Sequence, residues 1–311
     1  MNILYLINYL ILSVFATLFI VEVGIALLSL LKYRNYRDEI RKFLLPIWEV
    51  NGTFAAFYLV NFEVTYPTLL NAVGQLYVAP LLIAAIFFIL RSIFLVYSEY
   101  MNSPQKENLY MDIYALSTLA LTLIAISVFD SGISGIGVSL QANLADFLVL
   151  LFNPFNVLML IGVFLIAIFV VSSCFKVGRM HEFGILPLAL AFVLMGIAIW
   201  AYLPLVFANL AANAYLLAFP AILGIIAAIM QRNMSRYANH LTLFWLFVSI
   251  NVFGAIEYPY VFGDINILNY VAAPAISSAI LWISTIGGGL LIIALSYLIY
   301  LSYLKRENAS Y

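Results

Sequence analysis

The chain has 311 residues, of which 66% are hydrophobic and 9% are charged, and its formal net charge is −1. Its mean hydropathy is +1.11. Soluble domains are roughly half apolar and a quarter charged, so this composition excludes a cytosolic enzyme, a nucleic-acid-binding protein and a disordered tail. The single cysteine, Cys174, excludes a disulfide framework and a cysteine-rich iron–sulfur or zinc site. We therefore expect an all-α polytopic membrane protein with no nucleic-acid partner.

Nine segments are long and apolar enough to cross a bilayer, which takes roughly 20 mostly apolar residues per helix. In chain order they cover residues 3–31, 44–63, 76–98, 111–131, 146–173, 184–205, 208–230, 240–260 and 277–303. The first segment is not a cleavable signal peptide, because it lacks a basic start, is too long and precedes no small-residue cleavage site. Since the connections are short, the sequence predicts one membrane-embedded helical bundle over residues 1–311.

The positions of the basic residues predict the orientation, because Lys and Arg in short loops mark the cytoplasmic side. The loops at 64–75, 132–145, 206–207 and 261–276 contain none. Twelve of the 13 basic residues follow spans 1, 3, 5, 7 and 9: Lys32, Arg34, Arg37, Arg41, Lys42, Lys106, Lys176, Arg179, Arg232, Arg236, Lys305 and Arg306. This alternation predicts nine crossings of the cell membrane, with the N-terminus outside and the C-terminus in the cytoplasm.

The remaining basic residue, Arg91, lies inside span 3, about 10 Å from its inner end at 1.5 Å per residue. Two acids lie at similar depth: Glu22 in span 1 precedes Lys32 by ten residues, and Glu49 follows the inner end of span 2. For each residue alone, a snorkelling position at the membrane edge is the alternative. Charged groups inside spans usually face the bundle interior with a partner, so the three together predict a buried cluster of the kind that marks proton or ion paths.

No catalytic centre is predicted. The two histidines, His181 and His240, fall in or beside the inner loops, which favours solvated side chains over a pair of haem ligands. The glycines at 287–289 lie inside span 9 and favour close helix packing. The glycine pattern at 132–137 follows no strand, and no nucleophile–base pair or metal cluster is present. We expect this chain to bind no haem and no metal.

Two proline-containing segments are predicted to shape the helices. Asn153-Pro154-Phe155 interrupts span 5 near its outer end, where proline removes a backbone hydrogen bond and kinks the helix. Pro259 closes span 8 between two tyrosines of the outer aromatic belt. We interpret both as structural features.

Residues 46–52 contain Trp48, Glu49 and Asn51 in a Trp–acid–x–Asn arrangement. Four further segments are Glu22-Val23-Gly24, Leu90-Arg91 after Tyr66-Pro67 and Tyr77, Leu151-Phe152-Asn153-Pro154-Phe155, and Tyr258-Pro259-Tyr260 with Ser277-Ser278. Together these segments resemble subunit II of cytochrome bd quinol oxidase, and they follow the same order as in that family. The chain departs from the family in having Glu22 and Glu49 where Asp is usual. It also has Val96 where an acid usually follows the arginine.

The resemblance implies a role for the chain and for each matching residue. In that family, subunit I holds the haems and the quinol site, and subunit II is a haem-free scaffold that contributes polar residues to a cytoplasmic proton path. By this resemblance, Glu49 is the main proton relay and Glu22 a second acid. Arg91 is the electrostatic partner of Glu22, and Trp48 and Asn51 are the neighbours that shape the path. The implied partners are a haem-bearing cytochrome subunit, the quinol pool and the bilayer.

Three interpretations remain open from the sequence. The leading one is a non-catalytic subunit of a bd-type respiratory oxidase. The second is a membrane subunit of another b-type cytochrome electron-transfer complex. The third is a secondary transporter that uses Glu22, Glu49 and Arg91 for proton coupling. An odd number of spans and the lack of a matched pair of broken helices argue against the transporter.

Overall fold

The structure is a computed structural model that describes residues 2–100, 104–134, 144–175, 185–233, 235, 237–262 and 265–307. Helices dominate these residues, and eight of them are long and apolar enough to cross a membrane. The helices are α1 (Ile3–Thr65), α2 (Pro67–Leu76), α3 (Val78–Tyr100), α4 (Pro104–Ser134), α5 (Leu144–Phe152), α6 (Pro154–Phe175), α7 (Ile185–Tyr202), α8 (Pro204–Ala212), α9 (Ala214–Arg232), α10 (Ala238–Glu257) and α11 (Pro274–Glu307). The prediction of an all-α polytopic membrane protein is confirmed.

The first helix, α1, folds back on itself. A straight helix of 63 residues would be about 95 Å long, three times the roughly 30 Å hydrocarbon core of a bilayer. Lys32 and Tyr36 depart from helical backbone angles. Asn8 donates to Thr65 Oγ1 at 3.2 Å, so the start and the end of α1 are neighbours. We call residues 3–31 the first arm and residues 37–65 the second arm of this antiparallel hairpin.

Glycine permits close packing of the first arm against α6. A Cβ atom on Gly24 would lie 2.6 Å from the backbone oxygen of Ala167 and 2.8 Å from Cβ of Val171. Small residues at such crossings let two helix backbones approach each other. The first arm therefore packs closely against α6, and α1 as a whole also contacts α4, α10 and α11.

The main core joins the α1 hairpin to the helices around it. Its fully buried members include Ile25 and Ile40 from α1, Tyr114 from α4, and Phe169 from α6. The Phe169 ring meets the Trp245 ring of α10 edge to face, with centroids 5.5 Å apart. Only 17% of the residues in the most apolar stretch of each of α3, α7 and α11 are buried, so these helices lie at the periphery.

Proline starts two short helices at positions where the sequence predicted loops. Pro67 opens α2 within the predicted loop 64–75, and Pro204 opens α8 across the predicted loop 206–207. Proline is favoured at the first position of a helix, because that residue needs no backbone N–H. The span predicted at 208–230 consequently begins later, at Ala214. The predicted interruption at Asn153 is confirmed, since α5 ends at Phe152 and α6 begins at Pro154.

A small ribbon follows α10, which ends three residues earlier than predicted. Strand β1 (Tyr260–Phe262) pairs antiparallel with β2 (Ile265–Asn266), and a 3₁₀ turn covers Ile267–Tyr270.

Some residues used in the sequence analysis lie outside the described residues: Lys176, Arg179, His181, Arg236 and the glycines at 135 and 137.

Candidate functional site

A buried ion pair lies between α1 and α3. Glu22 Oε2 accepts hydrogen bonds from Arg91 Nη1 at 2.5 Å and from Asn51 Nδ2 at 2.7 Å. The Glu22 and Asn51 residues are fully buried, and only 1% of Arg91 is exposed. Three of the five predicted site residues are therefore brought together, one from each arm of α1 and one from α3.

The hairpin register explains why Asn51 meets Glu22. In the sequence, the midpoint between Glu22 and Asn51 falls between Tyr36 and Arg37. The midpoint between Asn8 and Thr65 falls at the same place. The two arms therefore keep one antiparallel register over their length. The turn of α1 therefore fixes where the Asn51 amide meets the Glu22 carboxylate.

Aromatic rings surround the guanidinium of Arg91. Its Cζ atom lies 4.8 Å from the centroid of Phe88 and 5.9 Å from that of Phe19. Rings within about 6 Å attract a cation through their electron-rich faces. A charge in such surroundings needs an opposite charge close by, and Glu22 supplies it.

Several polar atoms around the pair have no hydrogen-bond partner among the described protein atoms. They are Glu22 Oε1, Arg91 Nε, Asn51 Oδ1 and the hydroxyl of Tyr114. Tyr114 lies on α4, close enough to Glu22 and Arg91 to interact with both charges. Buried polar groups without protein partners are the usual anchors of internal water, which makes about three hydrogen bonds. The arrangement can therefore hold a short hydrogen-bonded chain between α1, α3 and α4.

Glu49 does not join the buried pair, although the sequence analysis placed it in the same cluster. It lies on the exposed surface of the second arm, two residues before Asn51. Successive helical residues are about 100° apart, so Glu49 and Asn51 point to nearly opposite sides. Trp48 is partly buried and packs against the main core. The structure thus separates a buried carboxylate, Glu22, from an exposed one, Glu49.

A second charged network lies at the end of the bundle that contains the α1 turn. Glu107 on α4 accepts from the hydroxyl of Tyr33 at 2.6 Å and from Arg37 Nη2 at 2.6 Å. Arg41 pairs with Glu99 of α3 at 2.6 Å and reaches Glu107 at 3.4 Å. Arg37 and Arg41 therefore connect the turn region of α1 to the end of α3 and the start of α4. The basic residues suggested this cluster, but no sequence signal identified Glu107 and Glu99 as their partners.

Asp130 is a buried acid that the sequence analysis did not single out. It lies near the end of α4, with 1% exposed, and its Oδ2 atom has no hydrogen-bond partner among the described protein atoms. Asn156 on α6 approaches the same part of α4, donating to the backbone oxygen of Ser127 at 3.3 Å. The sequence signal for Asp130 was its position inside predicted span 4, since charges inside spans are costly.

His240 lies exposed in the first turn of α10, and its backbone N–H donates to Asn239 Oδ1 at 2.9 Å. His181, the other histidine of the chain, lies outside the described residues. Among the described residues, no group of three or more His, Cys, Asp or Glu side chains is arranged to hold a metal ion.

Comparison with known proteins gives two findings. The family model described as cytochrome bd terminal oxidase subunit II matches residues 1–303. A solved structure, that of the bd oxidase from Geobacillus thermodenitrificans, contains a chain that superimposes with a TM-score of 0.75. The two chains are 18% identical, and the match covers 96% of this chain and 98% of the other. At this identity, the likeness shows a shared fold. No curated protein sequence matches the chain.

Proposed function

Since the chain belongs to the cytochrome bd terminal oxidase subunit II family, we propose that it is the haem-free subunit of a quinol oxidase. It packs beside a haem-bearing partner and contributes to proton uptake from the cytoplasm. The observation that carries this proposal is the buried Glu22–Arg91–Asn51 group, because lipid-embedded charges are expensive and are retained for function.

The geometry supports different roles for the two acids. Arg91 and Asn51 both donate to Glu22, so its carboxylate is fixed in place and its charge is balanced. A group fixed in this way organises a path by orienting water, while Glu49 has the freedom to exchange protons. We therefore assign the relay to Glu49, and assign to Glu22 and Arg91 the positioning of the polar groups behind it.

The surface around Glu49 is suited to a partner subunit. Five exposed residues follow one another at helical spacing along the second arm: Glu49, Thr53, Ala56, Val60 and Glu63. Small residues in this row allow a second helix to approach closely. A carboxylate facing lipid would be costly, so a polar contact from another subunit at Glu49 is the favoured arrangement.

Haem binding is assigned to the partner. An axial ligand to a membrane haem comes from His or Met side chains that point into the bundle. His240 is exposed at the start of α10 and does not fit that position. The haem supplies oxygen reduction in the complex. This chain would hold the partner in place and deliver protons to it.

The proposed topology has nine crossings, with an outside N-terminus and a cytoplasmic C-terminus. It is supported by the eight apolar helices when the two arms of α1 are taken as separate crossings. The placement of Arg37 and Arg41 beside the end of α3 and the start of α4 also supports it, because these loops are predicted to lie on one side.

Purification from native membranes tests the proposal. We would tag the C-terminus, isolate the complex in mild detergent, and record its reduced-minus-oxidised spectrum together with oxygen consumption on added quinol. A co-purifying haem-bearing partner that consumes oxygen is the expected result. Haem signals without oxygen consumption would instead favour another b-type cytochrome complex, and a colourless chain isolated alone would contradict both.

A further inference from the structure

The Glu22–Arg91 pair differs in geometry from the arginine–glutamate pairs at the α1 turn. Arg37 binds Glu107 through two parallel hydrogen bonds, from Nε to Oε1 at 2.7 Å and from Nη2 to Oε2 at 2.6 Å. Arg41 binds its own glutamate at the same two distances, 2.7 and 2.6 Å. Arg91 reaches Glu22 through Nη1 alone, and both described donors to that carboxylate meet at Oε2. The buried pair therefore leaves hydrogen-bonding capacity unused on both of its members.

The unused capacity is balanced between donors and acceptors. Among the described protein atoms, two possible donors lack a partner, Arg91 Nε and the Tyr114 hydroxyl. Two acceptors lack one as well, Glu22 Oε1 and Asn51 Oδ1. All four atoms are closed to solvent, so bulk water cannot serve as their partner. Because unpaired buried polar atoms are costly, a second arrangement that pairs them within the site is favoured.

Tyr114 lies on the side of α4 that faces this site. The residue has no exposed surface and belongs to the main core together with Ile25 and Leu95. Ile25 follows Glu22 by three residues and Leu95 follows Arg91 by four. Residues at these spacings share one face of a helix, so the core brings the Tyr114 ring against the faces of α1 and α3 that carry the pair. The hydroxyl is also close enough to interact with both charges.

We propose that Tyr114 is a further positioning residue of the Glu22–Arg91–Asn51 group, and that its hydroxyl donates to Glu22 Oε1 in a second arrangement of the same side chains. Arg91 Nε then pairs with Asn51 Oδ1, and each of the four atoms has a partner. The change requires small side-chain rotations, because the terminal torsion of a glutamate is broad and roughly two-fold. A buried tyrosine hydroxyl usually has a hydrogen-bond partner, and this arrangement supplies one.

Thr118 is the competing acceptor for the Tyr114 hydroxyl. It lies one turn further along α4, is fully buried, and donates its own hydroxyl to the Tyr114 backbone oxygen at 2.9 Å. The threonine oxygen is neutral, whereas Glu22 carries a charge in the ion pair. Hydrogen bonds to an ionised group are roughly twice as strong as those between neutral groups, so the carboxylate is the preferred acceptor.

The two arrangements differ in the availability of Glu22 Oε1. In the arrangement observed, this oxygen has no described donor and can accept one from the polar path. In the second arrangement, Tyr114 occupies it. Tyr114 thereby gives α4 control over the carboxylate that connects the two arms of α1 to α3. The link to proton uptake rests on the proposed function, whereas the hydrogen bond itself does not depend on it.

Infrared spectroscopy of the purified complex tests the hydrogen bond. Isotope-labelled glutamate identifies the glutamate bands. Subtracting the spectrum of the Glu22→Gln/Arg91→Met double variant, in which both charges are removed, leaves the carboxylate bands of Glu22. We expect Tyr114→Phe to shift these bands to higher frequency, since the loss of a hydrogen bond stiffens the bond to the oxygen that accepted it. The spectra would be recorded in the oxidised and in the reduced state.

Two matched variants show whether the shift belongs to this hydroxyl. Tyr110→Phe makes the same change one turn earlier on α4, where the ring contacts that of Tyr97. Thr118→Val removes the competing acceptor. Both should leave the Glu22 bands unchanged. A shift in Thr118→Val equal to that in Tyr114→Phe would show that the hydroxyl acts through the threonine, and would contradict a direct bond to Glu22.

Thermal midpoints measure whether Tyr114 acts through the pair. Tyr114→Phe should lower the midpoint of the unaltered complex and have little effect in the Glu22→Gln/Arg91→Met background, where the charged acceptor is absent. An equal loss in both backgrounds would mean that the tyrosine is only a packing residue. If Tyr114→Phe does not assemble alone, its assembly in the double background supports the proposal, and failure in both backgrounds contradicts it.

Oxygen consumption separates the hydrogen bond from the proposed function. Because one hydrogen bond to a charged group is worth about tenfold or more, we expect Tyr114→Phe to slow turnover on quinol by about that factor. Shifted Glu22 bands with unchanged turnover would support the hydrogen bond and contradict the part of the pair in proton uptake. Unchanged Glu22 bands in an assembled Tyr114→Phe complex, in both the oxidised and the reduced state, would overturn the assignment of Tyr114.

Discussion

Glu22 and Arg91, 69 residues apart in the sequence, are joined by a contact of 2.5 Å between Oε2 and Nη1 in a site with almost no exposure. The contact ties the first arm of α1 to the peripheral helix α3. Asn51 adds the second arm through the same carboxylate oxygen. One buried acid therefore connects three helical segments, and this accounts for the placement of an arginine within an apolar helix.

Replacing one member of this pair should be more damaging than replacing both. Glu22→Gln or Arg91→Met alone leaves an uncompensated buried charge, which costs about 3–5 kcal/mol, whereas an apolar or neutral pair is often nearly neutral. We expect each single variant to lower the yield and the thermal midpoint of the purified complex. The double variant should recover most of that loss. A double variant that is as unstable as the sum of its parents would show that the two residues act independently.

Glu107 should stabilise the end of the bundle that contains the α1 turn. It accepts from Tyr33 and Arg37 and lies near Arg41, with only 6% exposed. Glu107→Gln should cost about 1.5–3 kcal/mol, the usual value of hydrogen bonds to a charged group. Since 1 kcal/mol corresponds to about 2–4 °C in domains of 150–250 residues, thermal unfolding will resolve this change.

Asp38→Asn is the matched control for Glu107→Gln. The Asp38 side chain is 78% exposed and lies 3.8 Å from Arg37. Exposed ion pairs contribute about 0–1 kcal/mol, so its midpoint should hardly move. Equal effects of the two substitutions would mean that the turn is stabilised by net charge and not by the specific contacts of Glu107.

Gly24→Ala should destabilise the chain, because its new Cβ would lie 2.6 Å from the backbone oxygen of Ala167. A backbone atom cannot move aside as a flexible side chain can, and overpacking of this kind costs about 1–3 kcal/mol. Gly196→Ala in α7 is the control, since a Cβ there meets no atom within 4 Å. Thermal midpoints of the two variants measure the difference. If Gly24→Ala were as stable as Gly196→Ala, the close crossing of α1 and α6 would be wrong.

The sequence predicted the apolar spans and the pairing of Arg91 with an acid for a clear physical reason. Length and hydropathy identify spans, and a charge within a span requires a partner. It did not predict that Glu49 would be exposed while Asn51 would be buried. In a membrane helix, the face toward lipid and the face toward the core are both apolar, so periodicity does not distinguish them.

The short helices and the position of Asp130 show a second limit. Loops at 64–75 and 206–207 were predicted from their place between spans, but Pro67 and Pro204 start new helices there. A proline read as a helix breaker can equally open the next helix. Asp130 was missed because it lies near the end of a predicted span, where an acid is ordinarily solvated, whereas in the fold only 1% of it is exposed.

The central claim, that Glu49 relays protons into the complex, is tested most directly by oxygen consumption of the purified Glu49→Gln complex on added quinol. The control is Glu63→Gln, which removes another exposed carboxylate of the same arm. We expect normal haem spectra in both, with turnover slowed about tenfold or more in Glu49→Gln, because a positioned proton-transfer group contributes about 10²–10⁴-fold to rate. Unchanged turnover in Glu49→Gln, with the complex intact, would contradict the relay.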